Sequence, residues 1–182
     1  MNEIRLHGRG GQGIVVGAQL LASAYILEGK YASVLPSFGV ERRGAAVTAF
    51  LRFDDKPIRE RTAIYTPDCL IVFDPVQIHQ PATFAGLKKD SILLLNTSES
   101  LKEKLHNNLR SIAMVDGTDI ALEEMGVPVP NAIMAGAFAA ATGLLSLDSL
   151  HICLADFFNG KVLLSNRRCL ERGFNEVKSF KY

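Results

Sequence analysis

At 182 residues the chain is the size of one domain and long enough to bury a core, and with 48% hydrophobic and 21% charged residues it has the balance of an ordered globular protein. A formal net charge of +1 and the absence of long runs of like charge exclude a global pull toward nucleic acid or a membrane surface. No apolar stretch approaches the roughly 18 residues of a membrane span, and Met1–Leu6 is too short and too charged for a secretory leader, so a cytoplasmic location is expected.

In chain order, residues 3–7 read as a short strand. The glycine-rich stretch Gly8-Arg9-Gly10-Gly11-Gln12-Gly13 follows, and then a helix from Ile14 to Glu28 that is apolar nearly all round and stopped by Gly29. A second strand, Tyr31–Leu35, ends at Pro36, and Ser37 to Gly44 form a loop. Val47, Ala49, Leu51 and Phe53 then alternate with Thr48, Phe50 and Arg52. The turn Asp54-Asp55-Lys56-Pro57 leads to a returning strand near Ile58–Arg61, which predicts an antiparallel hairpin.

Three apolar runs follow, Cys69–Phe73, Ile92–Leu95 and Ile112–Val115, each closed by a polar residue: Asp74, Asn96 and Asp116. Ser100 and Glu103 form a capping box for a helix to Leu109, and Thr118–Met125 is a second helix stopped at Gly126. Asn131 caps an alanine-rich helix to Thr142, thin enough for close backbone approach. Helices at Leu147–Phe157 and Ser165–Lys178 complete the chain. The pattern predicts one α/β domain over residues 1–182, a three-layer α/β/α architecture around a mixed, mostly parallel sheet with a Rossmann-like start.

Gly8-x-Gly10-x-x-Gly13 between a strand and a helix matches the dinucleotide fingerprint, in which glycines open backbone N–H groups at a helix N-terminus to an anion. The second strand, however, ends in Leu35-Pro36-Ser37 and lacks the acid that binds ribose hydroxyls. Two other readings stay open: a turn that only packs a buried helix on the sheet, and a phosphate site for another ligand, to which Arg9, Arg42 and Arg43 could contribute. Cys69, Cys153 and Cys169 are far apart and form neither a disulfide framework nor a four-thiolate metal site, so buried thiols are expected. His7, His79, His106 and His151 lack metal-ligand spacing, and no nucleophile–histidine–acid set is recognisable, so neither catalytic nor metal-ligating residues are expected in this chain.

Two stretches, His7-Gly-Arg-Gly-Gly-Gln-Gly13 and Pro36-Ser-Phe-Gly-Val-Glu-Arg-Arg-Gly44, resemble the gamma subunit of pyruvate, ketoisovalerate and related 2-oxoacid:ferredoxin oxidoreductases. The resemblance extends to about residue 145, through Lys56-Pro57-Ile58-Arg59, Asp74-Pro75, Asn96-Thr97, Asp116-Gly-Thr118 and the helix from Asn131. It implies a subunit, inactive alone, of a complex that oxidatively decarboxylates a 2-oxoacid with coenzyme A, giving acyl-CoA, carbon dioxide and reduced ferredoxin. By resemblance, alpha and beta subunits carry thiamine diphosphate with magnesium, and iron–sulfur clusters sit in beta and in a ferredoxin-like delta subunit. This chain then binds no cofactor by itself but contacts coenzyme A through Gly8, Arg9, Gly10, Gly11, Gln12, Gly13, Arg42 and Arg43, with Phe38 and Glu41 at an interface. A free-standing dinucleotide- or phosphate-binding protein and a purely structural assembly domain are the alternatives.

Overall fold

The computed structural model describes residues 1–38, 45–101 and 103–182. Strand β1 (Asn2–Arg9) leads through the glycine turn into α1 (Ile14–Leu27). Gly13 enters the helix in the left-handed region at φ 73°, and Gly29 leaves it at φ 80°, conformations that a side chain would strain. Strand β2 (Tyr31–Phe38) runs on through Pro36, where the sequence predicted its end. It lies at the edge of the sheet, where a residue without an N–H can be accommodated.

Strand β3 (Ala46–Asp54) pairs antiparallel with β2 on one side and β1 on the other. The hairpin is therefore made with the preceding strand, and no strand forms at Ile58–Arg61. Beyond Pro57 the chain leaves the sheet. Arg52 donates to the carbonyls of Thr62 and Ala63 at 2.7 and 3.3 Å, and Arg5 to that of Ile64 at 3.3 Å, tying this irregular segment down.

Strands β4 (Cys69–Val72), β5 (Ser91–Asn96) and β6 (Leu109–Val115) continue the sheet in parallel from β1. Between β4 and β5 lie a 3-10 turn (Pro75–His79) and the single turn α2 (Pro81–Phe84). Between β5 and β6 the predicted helix at Ser100–Leu109 is absent among the described residues. A ten-residue helix is marginal in isolation, and Leu109 is already needed in β6.

The helices α3 (Gly117–Met125), α4 (Asn131–Thr142), α5 (Leu147–Phe157) and α6 (Gly160–Glu176) follow. An unanticipated β7 (Lys178–Lys181) then pairs antiparallel with β6. The strand order is β2-β3-β1-β4-β5-β6-β7, so four parallel strands form the centre and antiparallel strands flank them. This is the α/β class with the mixed sheet that the sequence predicted.

One face of the sheet, with Leu6, Leu51, Ile71 and Phe73, is covered by α1 and α4, and α5 and α6 pack over these. Helix α4 is buried from Asn131 to Ala139. A Cβ at Gly136 would overlap the Leu170 carbonyl oxygen, and one at Gly173 the Ile133 carbonyl oxygen, so each glycine admits the other helix's backbone. The other face, with Leu70, Val72, Leu93 and Leu95, is covered among the described residues by short segments bringing Ile78, Phe84, Leu101, Leu105 and Phe180. Among the described residues no helix is long and apolar enough to cross a membrane.

Candidate functional site

The C-terminal ends of the parallel strands β1, β4, β5 and β6 share one edge, and a crevice opens where the connections of neighbouring strands diverge. That point lies between β1 and β4, since the chain leaves β1 for β2 and β3 on one side and leaves β4 for β5 on the other. The glycine turn sits there. Gly8 and Arg9 belong to β1, Gly10 to Gly13 form the turn, and Gly11 takes φ 97°.

Two side chains fasten the turn to the end of β4. Arg9 Nε donates to Asp74 Oδ2 at 2.5 Å, and Asp74, only 7% exposed, accepts from Val76 N with its other oxygen. Gln12 accepts from Arg9 N at 2.8 Å and reaches the Phe73 carbonyl at 3.4 Å. A Cβ on Gly8 would collide with Gln12, Ile14 and Phe73, so this glycine is required by packing as well as by any ligand.

The backbone donors of the turn are partly committed. Gly10 N–H is given to Ala45 O at 3.1 Å and Gln12 N–H to Arg9 O at 3.2 Å. The N–H groups of Gly11, Gly13, Ile14, Val15 and Val16 have no partner among the described residues, and no side chain caps α1. Together with Arg9 they line a recess of about 150 Å³. A helix N-terminus with open N–H groups and an adjacent guanidinium favours an anion.

Strand β2 points the same way as β1, because β3 lies antiparallel between them. Phe38 therefore ends at the same edge, as does Ala45, which is bonded to Gly10. Glu41, Arg42 and Arg43, assigned to this site from the sequence, lie outside the described residues. The same topology counts against nicotinamide binding. In a dinucleotide fold the second strand is the immediate neighbour of the first, whereas here β3 intervenes and displaces the end of β2 by a further ~5 Å.

Further along the edge a larger crevice, about 480 Å³, is lined by His79, Asn96, Thr97, Glu99, Asp116 and Asp119 among others. Its carboxylates make it a poor phosphate site despite its size. Asn96, which the sequence marked only as the end of a strand, organises this wall. It donates to Phe73 O and Thr118 Oγ1, both at 2.8 Å, and accepts from the N–H groups of Gly117 and Thr118.

His79 lines this larger crevice, and the other three histidines have structural partners. His7 accepts a hydrogen bond from Arg5 Nε at 2.9 Å, and burial, reinforced by the Arg5 charge, holds its pKa down to about 4. His151 approaches Glu171 at 3.3 Å, and His106 stacks on Phe84. All three cysteines are buried, with Cys69 pushed up to about 12 mainly by desolvation, so its thiol is unreactive. Among the described residues no three His, Cys, Asp or Glu side chains converge as a metal site.

The family described as pyruvate ferredoxin/flavodoxin oxidoreductase matches residues 3–176. The pyruvate/ketoisovalerate oxidoreductases common subunit gamma of Pyrococcus abyssi (strain GE5 / Orsay) is 46% identical over 183 residues, which cover 99% of each chain. The crystal structure of pyruvate oxidoreductase subunit PORC from Thermotoga maritima superposes with a TM-score of 0.87 at 37% identity, covering 99% of this chain and 98% of that one. The 2-oxoglutarate:ferredoxin oxidoreductase of Magnetococcus marinus, solved with 2-oxoglutarate, coenzyme A and succinyl-CoA bound, shares the fold at a TM-score of 0.78 and 18% identity, over 94% of this chain and 30% of that longer one.

Proposed function

The chain belongs to the pyruvate ferredoxin/flavodoxin oxidoreductase family as a gamma-type subunit of an oxidoreductase, and from that premise we propose that it completes the coenzyme A region of a thiamine diphosphate-dependent complex. The complex converts pyruvate or a related 2-oxoacid and coenzyme A to acyl-CoA and carbon dioxide, and two electrons pass to ferredoxin. Alpha and beta subunits hold the thiamine diphosphate and its magnesium, beta and a ferredoxin-like delta subunit hold the iron–sulfur clusters, and the assembly works in the cytoplasm.

In this reading the chain supplies binding. The observation that carries it is the glycine turn at the β1/β4 divergence, where open N–H groups at the start of α1 and the Arg9 guanidinium meet a small recess. The pyrophosphate of coenzyme A is the anion such a site holds, and Arg42 and Arg43, in the segment joining Phe38 to Ala45, add charge to it. The longer relative that was solved with coenzyme A bound contains the same fold, in keeping with this role.

Selection of the 2-oxoacid is assigned to the other subunits. The Pyrococcus relative is, by its name, common to the pyruvate and ketoisovalerate enzymes, so the chain it resembles does not distinguish those two substrates.

The test is kinetic, in the complex reconstituted with Arg9→Ala, Arg42→Ala or Arg43→Ala. The proposal expects a raised KM for coenzyme A with kcat and the KM for the 2-oxoacid little changed. Weakened assembly with an unaltered KM would instead support the scaffold reading, which the engagement of Arg9 by Asp74 also favours.

A further inference from the structure

Strand β2 forms one edge of the sheet, with β3 on one side and, among the described residues, no strand on the other. Bonds further in decide which of its backbone groups face outward. His7 O accepts from Phe73 N and Glu3 O from Asp68 N, so the odd residues of β1 turn toward β4 and the even ones toward β3; Gly10 N–H accordingly reaches Ala45 O. Residues 47, 49, 51 and 53 of β3 therefore bond to β1. Residues 48, 50, 52 and 54 turn to β2, where the register sets them opposite Ser37, Leu35, Ser33 and Tyr31. The N–H and C=O groups of Ala32 and Val34 are left pointing out of the sheet, as is the nitrogen of Pro36, which has no hydrogen to offer.

The two edges of the sheet differ in what they admit. Strand β7 is four residues long, and pairing antiparallel with a copy of itself would set Lys178 against Lys181. Strand β2 is eight residues long, contains no charged residue, and exposes Tyr31 to 48% beside the half-buried run Ala32 to Leu35. Two such strands laid antiparallel offer each other the same row of donors and acceptors, and no like charges meet.

Pro36 selects the register. With Ser33 opposite Ser33 of the second copy, Ala32 of each copy exchanges both bonds with Val34 of the other, and Pro36 falls beyond the shared stretch. Centring the pair on Val34 would leave the Ala32 carbonyl facing a proline that cannot donate, and centring it on Leu35 would do the same to Val34. The Ser33 register also sets the exposed Tyr31 across from Leu35 on one face of the sheet, twice, as an aromatic–aliphatic cross-strand pair. It leaves uncovered the end of β2 that leads to the glycine turn.

We propose that the chain self-associates through β2, two copies joining their sheets antiparallel about a two-fold axis at Ser33. Residues opposite each other in a non-hydrogen-bonded antiparallel pair have Cα atoms about 4.5 Å apart, within disulfide range, and the three native cysteines are buried.

The full-length chain carrying Ser33→Cys should therefore form an interchain disulfide on mild oxidation, whereas Leu35→Cys, whose counterpart is Tyr31, should not. By sedimentation the wild type should be a dimer. Ala32→Pro removes an N–H that β3 does not use, and should weaken self-association about ten-fold or more while the circular dichroism of the fold is kept. A monomeric wild type, or cross-linking of Leu35→Cys as readily as Ser33→Cys, overturns the proposal. A monomeric chain whose Ala32 and Val34 amides become protected from hydrogen exchange only in the reconstituted complex would give the edge to another subunit, and overturns it equally.

Discussion

Arg5 and His7 stand side by side on β1, facing the thinly covered side of the sheet, and neither position is one where sequence alone expects a buried cation. The Arg5 guanidinium is 6% exposed and is held by neutral acceptors, the carbonyls of Ile64, Thr83 and Ala85 and the His7 ring. Protonating His7 would destroy one of those acceptors and set two charges together. Above the ordinary histidine pKa of about 6.5 the ring is neutral whether or not the chain is folded, and it contributes no pH dependence. Between there and the folded-state value of about 4, only the unfolded chain takes up the proton, so stability falls as pH falls. At pH 5 the loss from this residue is roughly 2 kcal/mol. Urea unfolding of the wild type and of His7→Gln, which keeps an acceptor for Arg5, should show a smaller loss between pH 7.5 and pH 5 in the variant. Equal losses would place the acid sensitivity elsewhere.

At the level of elements, the α4–α6 crossing has the least room to adapt. The alanine-rich stretch after Asn131 announces a thin helix, and α4 is one, but the partner glycine on α6 lies outside that stretch and its role becomes visible only in three dimensions. Gly136→Ala or Gly173→Ala must push one backbone off the other, because the obstruction is a carbonyl and not a flexible side chain, and should cost about 2 kcal/mol or more in thermal or urea unfolding. Gly143→Ala meets no neighbour and bears only the left-handed φ of 64°, so its loss should stay near 1 kcal/mol. What the sequence made legible were elements with a strong apolar pattern, α1 and α3 with their stops at Gly29 and Gly126, α5, and the three buried parallel strands. The expected strand at Ile58–Arg61 had a local signal but no place in the sheet, and in the segment expected as a helix at Ser100–Leu109, Leu101 and Leu105 reach the sheet without one among the described residues. Strand β7 was missed because its residues, Lys178 to Lys181, are mostly polar and mostly exposed, and pairing with β6 defines it. The glycine turn was found as a motif, whereas Asp74 and Asn96 appeared only as element boundaries.

For the whole molecule, the proposed function makes this chain a part which binds while the reacting centres sit in other subunits. The isolated chain should be colourless and should not turn over pyruvate with coenzyme A and an artificial acceptor, and calorimetry should find no micromolar affinity for NAD. A stoichiometric chromophore, or turnover without partner subunits, would contradict the assignment of chemistry to the rest of the complex. Strand β7 bears on how such a part survives before its partners arrive. Without it, β6 would present a bare row of backbone donors and acceptors along an apolar strand, Ile112-Ala113-Met114-Val115, a template for adhesion to another open strand. With it, the outermost strand is short and carries exposed lysines at 178 and 181. Removing residues 177–182 should therefore leave the helical layer in place but make the protein aggregate in a concentration-dependent way, readable by light scattering. The last strand, on this view, is a safeguard against amyloid-like stacking during the interval between synthesis and assembly.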